Sequence, residues 1–229
     1  MTAIPPKTDF VLMGISLSNK TFTRQRMGAI FDWCDRQSPF DFLVWLGDDL
    51  EAINFEVFKG MAPSGALSRA RSRGRELQAM VMKAYRETPS RRVRLARVAT
   101  HRDMITDPDY GAAIARAHGT LDSLFRDHPP FREDVLRQVA VNLGSGNKAT
   151  ETRDEALLTR LADYILGELS VFMGVYKSRG TLVEVYPGPN LFVKENLIRG
   201  DYGHTEIFQA DGEYLYIDLS CEASLHIRP

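Results

Sequence analysis

Cysteine is scarce in this chain: among 229 residues only Cys34 and Cys221 occur, far apart and without metal-ligand spacing. A disulfide framework is thereby excluded, and a reduced, cytoplasmic setting is the simplest expectation. The five histidines, His101, His118, His128, His204 and His226, form no zinc motif, so no metal is expected. No apolar run is long enough to span a bilayer, and the N-terminus lacks a basic-then-apolar signal pattern, so no membrane partner is expected. The glycines of Gly144-Ser145-Gly146-Asn147-Lys148 are too few and misplaced for a phosphate-cradling Walker loop. There is no internal repeat, low-complexity tract or linker.

Hydrophobic residues make up 44% of the sequence, enough for a proper core. Residues 1–8 read as a flexible tail opposed to regular structure by Pro5-Pro6, and 9–229 as a single domain. The apolar run at 9–15 predicts a strand buried on both faces, with further strands at 41–46, 91–99, 181–186 and 213–219. Helical spacing predicts helices at 22–37, 66–86, 110–125, 131–143 and 152–176, the last being the most strongly helical stretch. Strands alternating with helices imply an α/β fold: about five strands, mostly parallel, with helices on both faces. The net charge of −1 conceals an asymmetry. Residues 69–97 hold ten Lys and Arg against two acids, a local +8 that leaves −9 for the remainder. Such a split points to a polyanionic partner, although most charge runs are simply solvated faces.

Three stretches offer chemistry. Ser16 ends the first strand, where an open α/β sheet binds its ligands, with Gly14 leaving room for a substrate to approach the backbone. The plainer reading is a strand-to-helix turn in which Ser16 or Asn19 caps the helix. On the helix at 152–176, Tyr164 and Glu168 are four residues apart and share a face, amid Leu161, Ile165, Val171, Phe172 and Val175. A carboxylate in an apolar stripe is either a structural residue paired with an arginine or a site group awaiting a cationic ligand. On the strand at 181–186, Glu184 and Tyr186 share a face, and Tyr186 closes the strand before Pro187. A tyrosine there is usually packing; the acid is harder to dismiss.

Taken in order, Gly14-Ile15-Ser16-Leu17-Ser18-Asn19, Tyr164-Ile165-Leu166-Gly167-Glu168 and Tyr186-Pro187 resemble the motifs of the cyclodipeptide synthases. The basic helix between the second and third strands resembles theirs too, and the likeness covers nearly the whole chain. It implies a Rossmann-like domain similar to the catalytic domain of class I tyrosyl- and tryptophanyl-tRNA synthetases. It also implies an aminoacyltransferase that turns two aminoacyl-tRNAs into a cyclic dipeptide, a 2,5-diketopiperazine, by a ping-pong route. Carried over by motif, Ser16 would be the nucleophile that accepts the first aminoacyl group. Tyr164 and Glu168 would hold that group's amino nitrogen, with Glu168 also moving its proton, and Tyr186 would relay a proton. Gly14 and Asn19 would shape the loop presenting Ser16. Exchange of one ester for another needs no ATP or other cofactor. In keeping with this, the synthetase nucleotide motifs His-x-Gly-His and Lys-Met-Ser-Lys-Ser are absent.

Under this resemblance the basic stretch becomes a tRNA track of Arg69, Arg71, Arg73, Arg75, Lys83, Arg86, Arg91 and Arg92, giving salt-sensitive affinity without sequence reading. By strand register, Leu12, Val44, Leu46, Val171 and Glu184 would wall the pocket for the first side chain. Glu184 would either select a polar or basic side chain or be neutralised by an arginine and select nothing. The protein is expected to act as a monomer. Two alternatives remain. A serine hydrolase or other acyltransferase would need a histidine and an acid at Ser16, and the sequence misses Gly-x-Ser-x-Gly only at its last position. A non-catalytic tRNA-binding module would use the basic helix alone.

Overall fold

The computed structural model describes residues 4–5, 8, 10–37, 40–88, 94–144, 155–203 and 213–220. Its elements run in the order β1 (Phe10–Ile15), α1 (Arg24–Asp35), β2 (Asp41–Leu46), α2 (Asp48–Lys59), α3 (Pro63–Glu87), β3 (Arg94–Thr100), α4 (His101–Ile105), α5 (Gly111–Asp127), α6 (Pro129–Gly144), α7 (Glu155–Arg179), β4 (Leu182–Tyr186), α8 (Phe192–Arg199) and β5 (Tyr214–Asp218). The five strands form one sheet in the order β3-β2-β1-β4-β5, and every neighbouring pair is parallel. The order reverses at β1, so the crevice beyond the C-terminal ends of β1 and β4 is the switch point where such sheets hold ligands.

Both faces of the sheet are covered. Leu12, Leu43, Trp45 and Leu182 pack under α2, α5, α6, α7 and α8 in one core. Val11, Met13, Ile15, Val44, Leu46, Val183, Val185 and Ile217 pack under α1 and α3 in the other. All six residues of β1 are buried, which is why that strand is apolar without alternation.

Local signals set the helix ends. The Thr23 side chain accepts from the Arg26 N–H to cap α1, and Thr100 and Asp103 form a reciprocal capping box on α4. Pro63 opens α3, and Gly60 ends α2 in the left-handed region at φ 60°. Helices α2, α4 and α8 go beyond the elements expected from sequence. The first reads as a short apolar segment after the strand-ending Gly47-Asp48-Asp49, and its acidic first turn, Asp48, Asp49 and Glu51, suits the positive end of a helix dipole. Of the expected tail, Ile4 is buried in the second core and its N–H donates to Gln37 Oε1. Of the loop expected at 144–148, Gly144 instead ends α6, while 145–148, the start of the helix expected at 152 and the turn at 211–212 lie outside the described residues.

Candidate active site

The loop after β1 is tied to a different element at each residue. Tyr164 of α7 donates its hydroxyl to Ser16 Oγ at 3.1 Å. Arg73 of α3 donates to the Leu17 carbonyl at 3.1 Å. Ser18 donates to the Glu51 carboxylate of α2, and Asn19 Nδ2 donates to the Tyr186 hydroxyl of β4 at 2.8 Å. The Asn19 N–H also closes a turn onto the Ser16 carbonyl at 3.2 Å, while its Oδ1 accepts from the Thr21 N–H. Ser16 is thus presented by a fixed turn at the mouth of the switch point, beside Tyr164 and with Tyr186 bridged to it through Asn19. Phe22 packs edge-on against Tyr186 with ring centroids 5.5 Å apart.

Glu168 lies one helical turn beyond Tyr164. It is partly buried, and among the described residues no side chain or backbone group donates a hydrogen bond to it. Loss of water pushes its carboxyl up to about 7, with Lys194 pulling it down and Glu184 pushing it further up. Burial also raises the Tyr164 hydroxyl well above its ordinary value, with the Glu168 and Glu51 charges adding to the effect. The Tyr186 hydroxyl is pushed up to about 12 by burial, against the Asn19 hydrogen bond. Both tyrosines therefore stay protonated at neutral pH and can donate. Glu51, buried and hydrogen-bonded by Ser18 and Asn54, is also raised by desolvation.

Glu184 is occupied. Its Oε2 accepts from Lys194 Nζ at 2.5 Å and from the Tyr214 hydroxyl at 2.8 Å, and the Glu184 and Lys194 side chains are only 3% and 2% exposed. Of the two readings of this acid, neutralisation fits the geometry, with a lysine in place of the expected arginine. The remaining pocket residues divide. Leu12 and Val171 belong to the core beneath α7, on the Glu184 side of the sheet. Val44 and Leu46 do not join them: they pair with Met13 and Ile15 and face α1 and α3, while Leu43 and Trp45 occupy the expected places. β2 is apolar on both faces, so hydrophobicity alone carries no sign of which alternate set looks which way. Gly14 has a packing role in the fold: a Cβ there would lie 2.8 Å from Phe172 Cζ and 3.1 Å from Trp45 Cε3, so the missing side chain makes room for two rings.

The basic stretch is less free than its sequence suggests. Arg71 forks onto Asp49 of α2 with both bonds at 2.8 Å, and Arg97 pairs with Asp107 at 2.8 Å. Arg94 pairs with Asp41, and Arg73 holds the Ser16 loop while lying over the Phe55 ring. Arg69, also over Phe55, together with Arg75, Lys83 and Arg86 is exposed along α3. Arg91 and Arg92 lie outside the described residues.

Sequence reading missed Glu51, Trp45 and Lys194. Glu51 sits among three acids of one helix turn, where any of them satisfies the dipole. Lys194 is nearly always a surface residue type, so nothing local marks it as buried.

Among the described residues no histidine hydrogen-bonds Ser16, and no three His, Cys, Asp or Glu side chains gather as a metal site. No helix among them is long and apolar enough to cross a membrane. The sequence matches the family profile described as Cyclodipeptide synthase over residues 2–180. No curated protein sequence matches it. Among solved structures, a cyclodipeptide synthase from Bacillus thermoamylovorans superposes with a TM-score of 0.71 at 19% identity, covering 91% of this chain and 88% of that one. A Mycobacterium tuberculosis protein, described as demonstrating that cyclodipeptide synthetases are related to type I tRNA synthetases, gives 0.69 at 18% identity over 91% and 85%. A cyclodipeptide synthase from Candidatus Glomeribacter gigasporarum bound to Phe-tRNAPhe gives 0.55 at 12% identity over 94% and 89%. Likeness at these identities carries the fold. The profile, spanning most of the sequence, carries the family: this chain belongs to the cyclodipeptide synthases, enzymes that form cyclodipeptides from aminoacyl-tRNAs.

Proposed function

We propose that this chain joins two aminoacyl groups by a ping-pong route through an aminoacyl ester on Ser16, drawing each group from an aminoacyl-tRNA. The observation that carries the reading is one constellation. A serine hydroxyl accepts a 3.1 Å hydrogen bond from Tyr164, and one turn further along α7 lies a carboxylate to which no group among the described residues donates. Since Tyr164 donates, the Ser16 proton is left for an acceptor on the substrate, and the ribose hydroxyl adjacent to the ester can serve. Ser16 Oγ bonds to the carbonyl carbon, the ribose oxygen leaves with a proton, and the ester changes owner with little change in energy. Glu168 holds the amino group of the bound residue as an ammonium, filling the site the fold leaves open.

The amine of a second aminoacyl-tRNA then displaces Ser16, forming the first peptide bond and returning the serine proton. The first residue's amine attacks the remaining ester, the ring closes, and the second tRNA leaves. Each attack requires an amine to shed a proton. Glu168, titrating near neutrality, and Tyr186, bridged to the loop through Asn19, are placed to move it. The exposed cations of α3, Arg69, Arg75, Lys83 and Arg86, orient the tRNA phosphates, with Arg91 and Arg92 extending the track. A structural neighbour described as bound to Phe-tRNAPhe supports that use of the fold. The protein acts as a cytoplasmic monomer, without metal or cofactor.

Mass spectrometry of medium from bacteria expressing the protein, beside a Ser16→Ala control, tests the reading. Ring-closed dipeptide masses that need Ser16 are expected, and they name both amino acids. Soluble wild-type protein supplied with ample charged tRNA and yielding no Ser16-dependent product would overturn it. Esterase activity without tRNA would then favour the hydrolase, and retained tRNA binding alone would favour the RNA-binding module.

A further inference from the structure

Lys194 has no part in the chemistry above, yet it is 1% exposed and stands beside the site. Its ammonium bonds to Glu184 at 2.5 Å and lies 4.0 Å from the centre of the Phe172 ring, with Tyr216 and Tyr214 at 5.5 and 5.8 Å. A buried ion pair is a weak source of stability, because stripping water from both partners offsets most of their attraction. Its placement offers a better reason. Phe172 is one turn beyond Glu168, so the ammonium sits over the same stretch of α7 that carries this carboxylate.

Among the described residues, the ionisable groups whose charge couples to Glu168 are Tyr164 on its own helix, Glu184 and Tyr186 from β4, Lys194 from α8 and Tyr216 from β5, and Lys194 is the one cation in that set. We propose that Lys194, anchored by Glu184, is a positioning residue for Glu168: its ammonium favours the ionised form of this carboxylate, the form that receives the ammonium of the first aminoacyl group. The inference rests on the reading of Ser16 and Glu168 given above. With Glu168 ionised, Glu168, Glu184 and Lys194 together carry −1, and the substrate ammonium brings the cluster to zero. Without Lys194, nothing would offset the Glu184 charge that disfavours ionised Glu168, and Glu168 would hold its proton to higher pH. Glu184 keeps the lysine from repelling the substrate, since its carboxylate already faces that charge.

Two readouts test this on the full chain. One is the carboxyl titration of Glu168 by NMR in protein labelled with ¹³C-glutamate, assigned with Glu168→Gln. The other is the pH profile of single-turnover acylation by bulk bacterial tRNA charged with ¹⁴C-labelled amino acids. Lys194→Met should raise the Glu168 midpoint and the acid limb of acylation together, by about one pH unit or more. Lys194→Arg should leave both in place. Glu184→Gln should move both downward, because Lys194 is then unopposed. Lower melting temperatures with unmoved midpoints would mean a merely structural pair and would overturn the proposal. Should Lys194→Met fail to fold, an unmoved midpoint in Glu184→Gln overturns it alone. Midpoints that move as expected while the wild type forms no Ser16 ester would support the linkage and overturn the reading of Ser16, which keeps the two failures apart.

Discussion

Glu168 is held at about 7 against an ordinary carboxyl value of 4.5, and that difference has a stability consequence whose sign is fixed. Below pH 4.5 the folded and unfolded chains both carry the proton. As pH rises toward 7 the unfolded chain releases it while the folded chain keeps it, so folding weakens through that window and levels off above it. Glu168→Gln removes the titration. Thermal melts should show the variant gaining on wild type as pH rises from 4.5 to 7, by on the order of 1–3 kcal/mol once water's screening of the partly buried group is allowed for, with the gap closing toward pH 4.5. Glu184 behaves differently because it is already paired. Glu184→Leu strands the Lys194 ammonium in an apolar site, and a loss of about 3–5 kcal/mol is expected in denaturant titration. Stability should suffer before any change in product spectrum is seen.

At the scale of elements, the neighbouring arginines of α3 divide into two sets. Arg71 and Arg73 face inward, to Asp49 of α2 and to the Ser16 loop, whereas Arg69 and Arg75 stand at the surface. Arg69→Ala combined with Arg75→Ala should weaken tRNA binding and flatten its log–log salt dependence by about one to two in slope, with little change in melting temperature. Arg71→Ala should do the reverse, lowering the melting temperature through the lost fork to Asp49. Filter binding across a salt series, beside thermal melts, checks both. The other long helix, α7, crosses α5 where a Cβ on Gly174 would come within 2.7 Å of the Ile114 backbone.

The whole molecule is one parallel sheet between two cores, and Cys34, on α1, lies completely buried in the second of them. Burial drives its thiol far above the ordinary range, so it is inert while the fold holds. In a Cys221→Ser background Cys34 is the sole thiol and reports opening of that core. Its labelling by a thiol reagent should follow global unfolding, accelerating in denaturant with the slope of the equilibrium transition. Rapid labelling in buffer would mean that α1 lifts away locally.

What lies within reach of one stretch of chain was legible from its residues. The unbroken apolar run of β1 and the three- and four-residue steps of α3 and α7 are local patterns, and they sufficed for an α/β fold with a parallel sheet. The residues proposed for the chemistry, Ser16, Tyr164, Glu168 and Tyr186, could be named from their motif spacings. Where strands and helices alternate this regularly, two of them fall naturally at strand ends. Facing and pairing were not legible. β2 is buried on both sides, so only its register against β1 turned Val44 and Leu46 away from the site and Leu43 and Trp45 toward it. Charge on α3 and β3 could be counted in the sequence, but Asp49, Asp41 and Asp107, which pair with Arg71, Arg94 and Arg97, arrive from other parts of the chain. Glu184 likewise gained its meaning from Lys194, brought back onto β4 by the turn through Pro187 and Pro189 and the start of α8. Periodicity is a property of neighbours along the chain, whereas desolvation and ion pairing depend on what the fold brings together, and that was decided only in three dimensions.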